Sequence, residues 1–165
     1  MIQGRHDTYP KRRGLTRIKE LQAAGVATAF GHDCVMDPWY SLGSGDMLEV
    51  AHMAIHGAQL TAQDAMRQAF AAVTSVPAAI LGLEGYGLDP GADANLVLLD
   101  ACDPIEAIRL KASRLIVVRH GAIIARTEPR TTELAIADRP RHVTLHRPGR
   151  EPEPAASRVT KKPGH

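Results

Sequence analysis

The chain has 165 residues, 44% hydrophobic and 23% charged, with a formal net charge of +2. A chain of that length buries roughly two-thirds of its unfolded surface, and so balanced a charge excludes a polyanion binder working through its whole surface. No stretch approaches the ~18 consecutive apolar residues of a membrane span, and Cys34 and Cys102 are too far apart for a CxxC metal or redox pair.

The opening stretch, MIQGRHDTYPKRRG, lacks the apolar core of a secretory signal, so a reduced, cytoplasmic setting is expected. It is polar and turn-rich. Arg5, Asp7, Arg12 and Arg13 are expected to form structural salt bridges there. "LTRIKELQAAG" then predicts a helix, with Thr16 as N-cap, Ile18 and Leu21 on one face and Gly25 as the stop. Residues 26–30, Val-Ala-Thr-Ala-Phe, are apolar without alternation, the pattern of a strand buried on both faces.

"GHDCVMDPWY" follows at once. Gly31, Asp33 and Asp37-Pro38 are ordinary turn residues. The same cluster also sits where ionisable side chains gather at the open end of a buried strand. Beyond it, "DMLEVAHMAIHGAQL" reads as a helix capped by Asp46 with Glu49 three residues on. His52 and His56 lie four apart on it, the spacing of an HExxH site without its glutamate. Packing or capping is the expected role. "TAQDAMRQAFAAVTS" repeats the helical pattern behind Thr61, and a short helix is expected over residues 76–81, with Pro77 in its first turn.

The pattern changes after residue 86. Asp89-Pro90-Gly91 is a turn, residues 94–99 a strand, "DPIEAIRLKA" a short helix, and "RLIVVRHGAIIAR" a hairpin turning at His120-Gly121. From Asp138 on, seven Lys/Arg face three acids amid prolines, so a disordered basic tail is expected. It carries no interleaved aromatics for base stacking, which argues against nucleic acid as a partner.

"QGRHDTYPKRRGLTRIKELQAAGV", "GHDCVMDPWYSLGSGDML" and "HMAIHGAQL" closely resemble the C-terminal third of the cytosine deaminases of the amidohydrolase superfamily. "GLDPGADANLVLLDA" and the hairpin are similar to that superfamily's return from barrel to sandwich domain. The resemblance implies an α/β fold, the C-terminal part of a (β/α)8 barrel (its last strand and following helices) plus part of a small β-sandwich. The implied division is residues 1–86 for the end of the barrel, 87–137 for the sandwich segment and 138–165 for the tail.

The same resemblance implies site residues. In such enzymes a divalent metal, zinc or iron, takes an HxH pair, further histidines and an aspartate after the eighth strand. Asp33 matches that aspartate, as metal ligand and catalytic proton acceptor. Trp39 matches the tryptophan lining the pyrimidine pocket, and Cys34 falls where relatives usually carry a second acid. Cys34 is not expected to act as a nucleophile, because His32, the only nearby base, should point to the other side of the strand end.

Much of the expected machinery has no counterpart. A barrel takes roughly 250 residues, and the eight histidines include no HxH. The relatives' proton-shuttling glutamate and pyrimidine-reading glutamine fall before Met1. The expectation is a C-terminal portion of a metal-dependent aminohydrolase that deaminates cytosine or a similar amino-substituted pyrimidine or triazine, inactive and without tightly held metal on its own. One alternative is a relative with another heterocycle, an aminotriazine or creatinine-type ring, for which the small, uncharged Cys34 leaves room. The other is a non-catalytic remnant, or a split-enzyme half needing a partner chain that carries the earlier strands.

Overall fold

The computed structural model describes residues 8, 14–38 and 40–143. Arg5, Asp7, Arg12, Arg13, Trp39 and the tail beyond residue 143 lie outside the described residues. The fold is α/β. Four helices come first: α1 (Ile18–Ala23), α2 (Met47–Gly57), α3 (Gln63–Ala71) and α4 (Ser75–Ile80). Then follow β1 (Leu96–Leu99), α5 (Pro104–Leu110), β2 (Arg114–Arg119) and β3 (Ala122–Arg126).

The three strands form an antiparallel sheet in the order β1-β2-β3. The β2–β3 hairpin closes through the two residues expected. Arg119 pairs with Ala122, and His120 and Gly121 both take positive φ, 48° and 77°. That is the turn whose twist matches the strands it joins.

Two apolar clusters hold the elements together. Leu48 and Ala51 of α2 bury against Ala107, Ile108 and Ala112 of the α5 region. Ile18, Leu60 and Ala69 form the second cluster, with Phe30 packed against it. Alanines make up three of the five buried members of the first cluster, which lets the helix backbones approach closely. The helical part and the sheet part thus share one core across α2 and α5.

Residues 26–30 form no strand, contrary to the expectation. Among the described residues no strand runs beside them, so their backbone groups have no ladder to join. Their backbone donors bond elsewhere: Val26 N–H to the Leu21 carbonyl and Phe30 N–H to the Ala72 carbonyl, both at 2.9 Å. The segment is an extended strap tied to the ends of α1 and α3.

The helix starts differ as well. Arg17 and Ala62 occupy the N-cap positions of α1 and α3, without a side-chain cap bond. Thr16 and Thr61 sit one residue too early to cap. Further along, Glu133 bridges His142 and Leu134 N–H donates to the Arg141 carbonyl at 2.7 Å.

Asp46 caps α2 as expected, accepting the Leu48 N–H at 2.8 Å. It also does something no local pattern announced. Arg114 of β2, 68 positions along the chain, donates to both its carboxylate oxygens at 2.6 and 3.2 Å. Burial by itself would raise the Asp46 carboxyl. The Arg114 hydrogen bonds and charge, with the Leu48 and Glu49 N–H groups, outweigh it and hold the carboxyl below the usual aspartate range.

Such a depressed carboxyl stabilises the fold above its unfolded pKa near 4, and that contribution is lost as pH falls through the lower folded value. Asp46→Ala is therefore expected to cost about 1–3 kcal/mol at pH 7, from a lost cap and a lost partly exposed ion pair. The gap to the unsubstituted chain should narrow at pH 3. Urea midpoints at the two pH values check this, and an equal gap at both would place the cost outside the ionised carboxylate.

Candidate functional site

The strap and the start of α2 form the two sides of an open groove of about 910 Å³. Phe30, Gly31, His32, Asp33 and Cys34 line one side, and Glu49, Val50, Met53 and Ala54 of α2 the other. Most of the wall is apolar. The ionisable groups collect at residues 32–34 and at Glu49.

Asp33 is exposed and takes φ 62°, the left-handed region that aspartate and asparagine tolerate better than most residues. The Cys34 thiol lies 3.6 Å from its Oδ2. Asp33 is one of the residues that line the groove.

Cys34 is held as a neutral thiol. Burial first, then a hydrogen bond to Asp37 and the charges of Asp33 and Asp37, push its pKa up to about 11. A thiol that stays protonated at neutral pH donates to a carboxylate and makes a poor nucleophile. The side chain therefore lines the groove as a small polar wall.

His32 departs from the expectation that it would face away. With no strand formed, strict alternation does not apply, and the imidazole lines the same groove as Asp33 and Cys34. Its side chain is only 10% exposed. Nδ1 lies 2.8 Å from the Cys34 carbonyl, closing the loop upon itself. Nε2 is buried without a hydrogen-bond partner and faces the Glu49 carboxylate at 3.9 Å.

Glu49 and Gly43 complete this loop and were not legible as site residues. Glu49 does not reach back to the Asp46 N–H as a capping box would; it accepts the Ser44 hydroxyl and turns towards His32. Gly43 packs directly on the loop. A Cβ there would meet His32 Cε1 at 2.8 Å and Val35 Cα at 2.9 Å, as well as the Cys34 carbonyl. The glycine in "SLGSG" was the available signal, because close backbone approach is one reason a loop keeps one. The turn reading of "DPWY" also holds, since Asp37 Oδ1 accepts the Tyr40 N–H at 2.9 Å.

As a metal site the described residues are incomplete. No group of three His, Cys, Asp or Glu side chains able to hold an ion occurs among them. Asp33 and the neighbouring Cys34 thiol make at most a pair.

The chain was compared with known proteins. The family described as the amidohydrolase family matches residues 1–125. A pterin deaminase of Rhizobium rhizogenes is 37% identical over 135 residues, which span 81% of this chain and 30% of that protein. An N-isopropylammelide isopropyl amidohydrolase of Pseudomonas sp. is 33% identical over 112 residues, 67% of this chain and 28% of the relative. Among solved structures, 5-methylcytosine deaminase from Klebsiella pneumoniae liganded with 5-fluorocytosine superposes with a TM-score of 0.72 at 40% identity, covering 78% of this chain and 31% of that one. The chain spans about a third of the length of these relatives.

Proposed function

The chain belongs to the amidohydrolase family, and from that premise we propose that it is the C-terminal portion of a metal-dependent aminohydrolase, the end of a (β/α)8 barrel with part of its sandwich domain, acting on cytosine or a similar amino-substituted heterocycle. The observation that carries this reading is an exposed Asp33 at the wall of a largely apolar groove, in a chain 40% identical to a 5-methylcytosine deaminase. Pterin and ammelide relatives widen the heterocycle class beyond pyrimidines.

Each residue has a task in this reading. Asp33 supplies one metal ligand and takes up the proton of the attacking water. Cys34, neutral and small, borders the ring and leaves room for a substituent where an acid would repel it. Phe30, Val50 and Met53 give a flat ring an apolar bed. Trp39 adds a further aromatic wall on the strength of the family resemblance alone. The bound zinc or iron contributes an activated water near neutral pH.

A catalytic metal takes about three protein ligands, and the described residues bring no such group of three together at the groove. The remaining ligands are assigned to a longer polypeptide or a complementing chain. The test is ammonia release from cytosine and 5-methylcytosine by the 165-residue chain alone, and by the chain mixed with an N-terminal polypeptide prepared from the 5-methylcytosine deaminase relative. Turnover and metal retention only in the mixture are expected. Turnover by the chain alone refutes the shared-shell reading, and failure of a mixture that forms a stable complex refutes the enzymatic one.

A further inference from the structure

Outside the groove, one motif remains without a role. His52 and His56 are one helical turn apart on α2, neighbours on its surface. Their rings lie 4.6 Å apart, centroid to centroid, tilted by 53°. Val50, Met53, Ala54 and Gly57 face the groove, and neither histidine does. The pair therefore belongs to a different flank of the helix from Asp33.

From that geometry we infer that His52 and His56 form a two-imidazole clip for a borderline divalent transition metal, separate from the groove. An ion bound at about 2.0–2.1 Å to one nitrogen of each ring holds the centroids roughly 4.5–5 Å apart when the two ligands are cis. The observed separation falls within that range. It sits nearer the right-angle arrangement of tetragonal Cu²⁺ or Ni²⁺ than the wider one of tetrahedral zinc.

The surroundings of His52 favour its neutral form. Burial first, then the charges of Lys111 and the His56 ring, lower the basicity of His52, against Glu49, which raises it. An imidazole that gives up its proton easily is ready to ligate. Glu49 on the same helix offers compensating negative charge, while Lys111 opposes it. No third side chain completes a shell among the described residues, so water fills the other positions and the ion exchanges readily. Affinity should follow Mn²⁺ < Ni²⁺ < Cu²⁺.

The experiment uses the 165-residue chain with Ni²⁺ or Cu²⁺ as probe and Mn²⁺ as control. In NMR spectra at substoichiometric metal, the imidazole signals of His52 and His56 should broaden before those of the other six histidines. By calorimetry His52→Ala and His56→Ala should each weaken Ni²⁺ binding by at least about tenfold, the scale of even an outer-shell loss. His142→Ala should leave it unchanged. Circular dichroism reports whether each variant keeps its helices, and the NMR result on the unsubstituted chain decides should a variant unfold. Uniform broadening of all eight histidines, no Ni²⁺ binding, or undiminished binding by a folded double variant overturns the inference.

Discussion

Asp33→Asn in the reconstituted enzyme is expected to lower kcat for ammonia release by about 10²–10⁴-fold, the usual range for losing a positioned proton acceptor, while folded stability stays within about 0.5 kcal/mol. The two parts of that expectation have separate physical grounds. Asp33 sits at φ 62° and is exposed, and within its own loop its carboxylate meets the Cys34 thiol. Asparagine has nearly the same shape and tolerates the same left-handed backbone. It also keeps one carbonyl oxygen to accept from Cys34. What it lacks is negative charge and a site for a proton, the two properties the proposed reaction requires.

Asparagine is thus a better probe here than alanine, which would add backbone strain in the left-handed region and confuse a fold effect with a chemical one. Steady-state kinetics with thermal melts of both proteins check the expectation. A variant retaining activity within a few-fold would mean that Asp33 is a turn residue and that catalysis lies with other groups. A large loss of stability would mean that the carboxylate holds the loop.

What the sequence could and could not reveal follows the range of the interactions involved. The His120-Gly121 turn and the Asp46 cap are decided within four residues, and both form where the local pattern places them. Cys34 and Asp33 were legible as neighbours on one loop for the same reason. Residues 26–30 have a strand's composition, but a strand exists only beside another, and composition cannot supply the neighbour. Thr16 and Thr61 are good capping residues overruled by a one-residue shift in where each helix begins.

Apart from the glycine in "SLGSG", the long-range features left no mark in the local sequence. Nothing near Asp46 points to Arg114, and nothing in "GHDCVM" indicates that Glu49 and Gly43 close over His32. Glu106 is a middle case. It is 1% exposed, and Asp103 followed by Glu106 is a capping-box spacing. Its N–H donates to Asp103 Oδ1 at 2.8 Å, and its own Oε2 accepts the Cys102 N–H at 2.9 Å. The pattern was there to be read. The burial was not, because it depends on α2 and α3 packing over α5.

That packing leads to the second large expected effect: Ile108→Ala should destabilise the chain by about 2–5 kcal/mol, the cost of truncating a well-buried isoleucine. Ile108 is 2% exposed and sits in a cluster whose other fully buried members are Leu48, Ala51, Ala107 and Ala112. Three of those four are alanines. Removing the isoleucine leaves Leu48 as the one large buried member of the cluster, with the partly buried Ile55, Phe70, Val73 and Leu99 around the space. The loss is large beside a total stability on the order of 5–15 kcal/mol for a small domain.

The consequence reaches the groove through α2. The helix that presents Leu48 and Ala51 to Ile108 presents Glu49, Val50 and Met53 to the strap carrying Asp33. If α2 is held by the α5 contact, Ile108→Ala should also loosen the His32–Glu49 approach and increase hydrogen exchange at the Phe30 and Leu48 N–H groups. Urea unfolding followed by circular dichroism gives the stability, and an unchanged m-value shows that the same cooperative unit unfolds. A cost below about 1 kcal/mol would mean that the helices and the sheet unit stand independently, and the groove would then owe its shape to the second cluster around Ile18, Leu60 and Ala69.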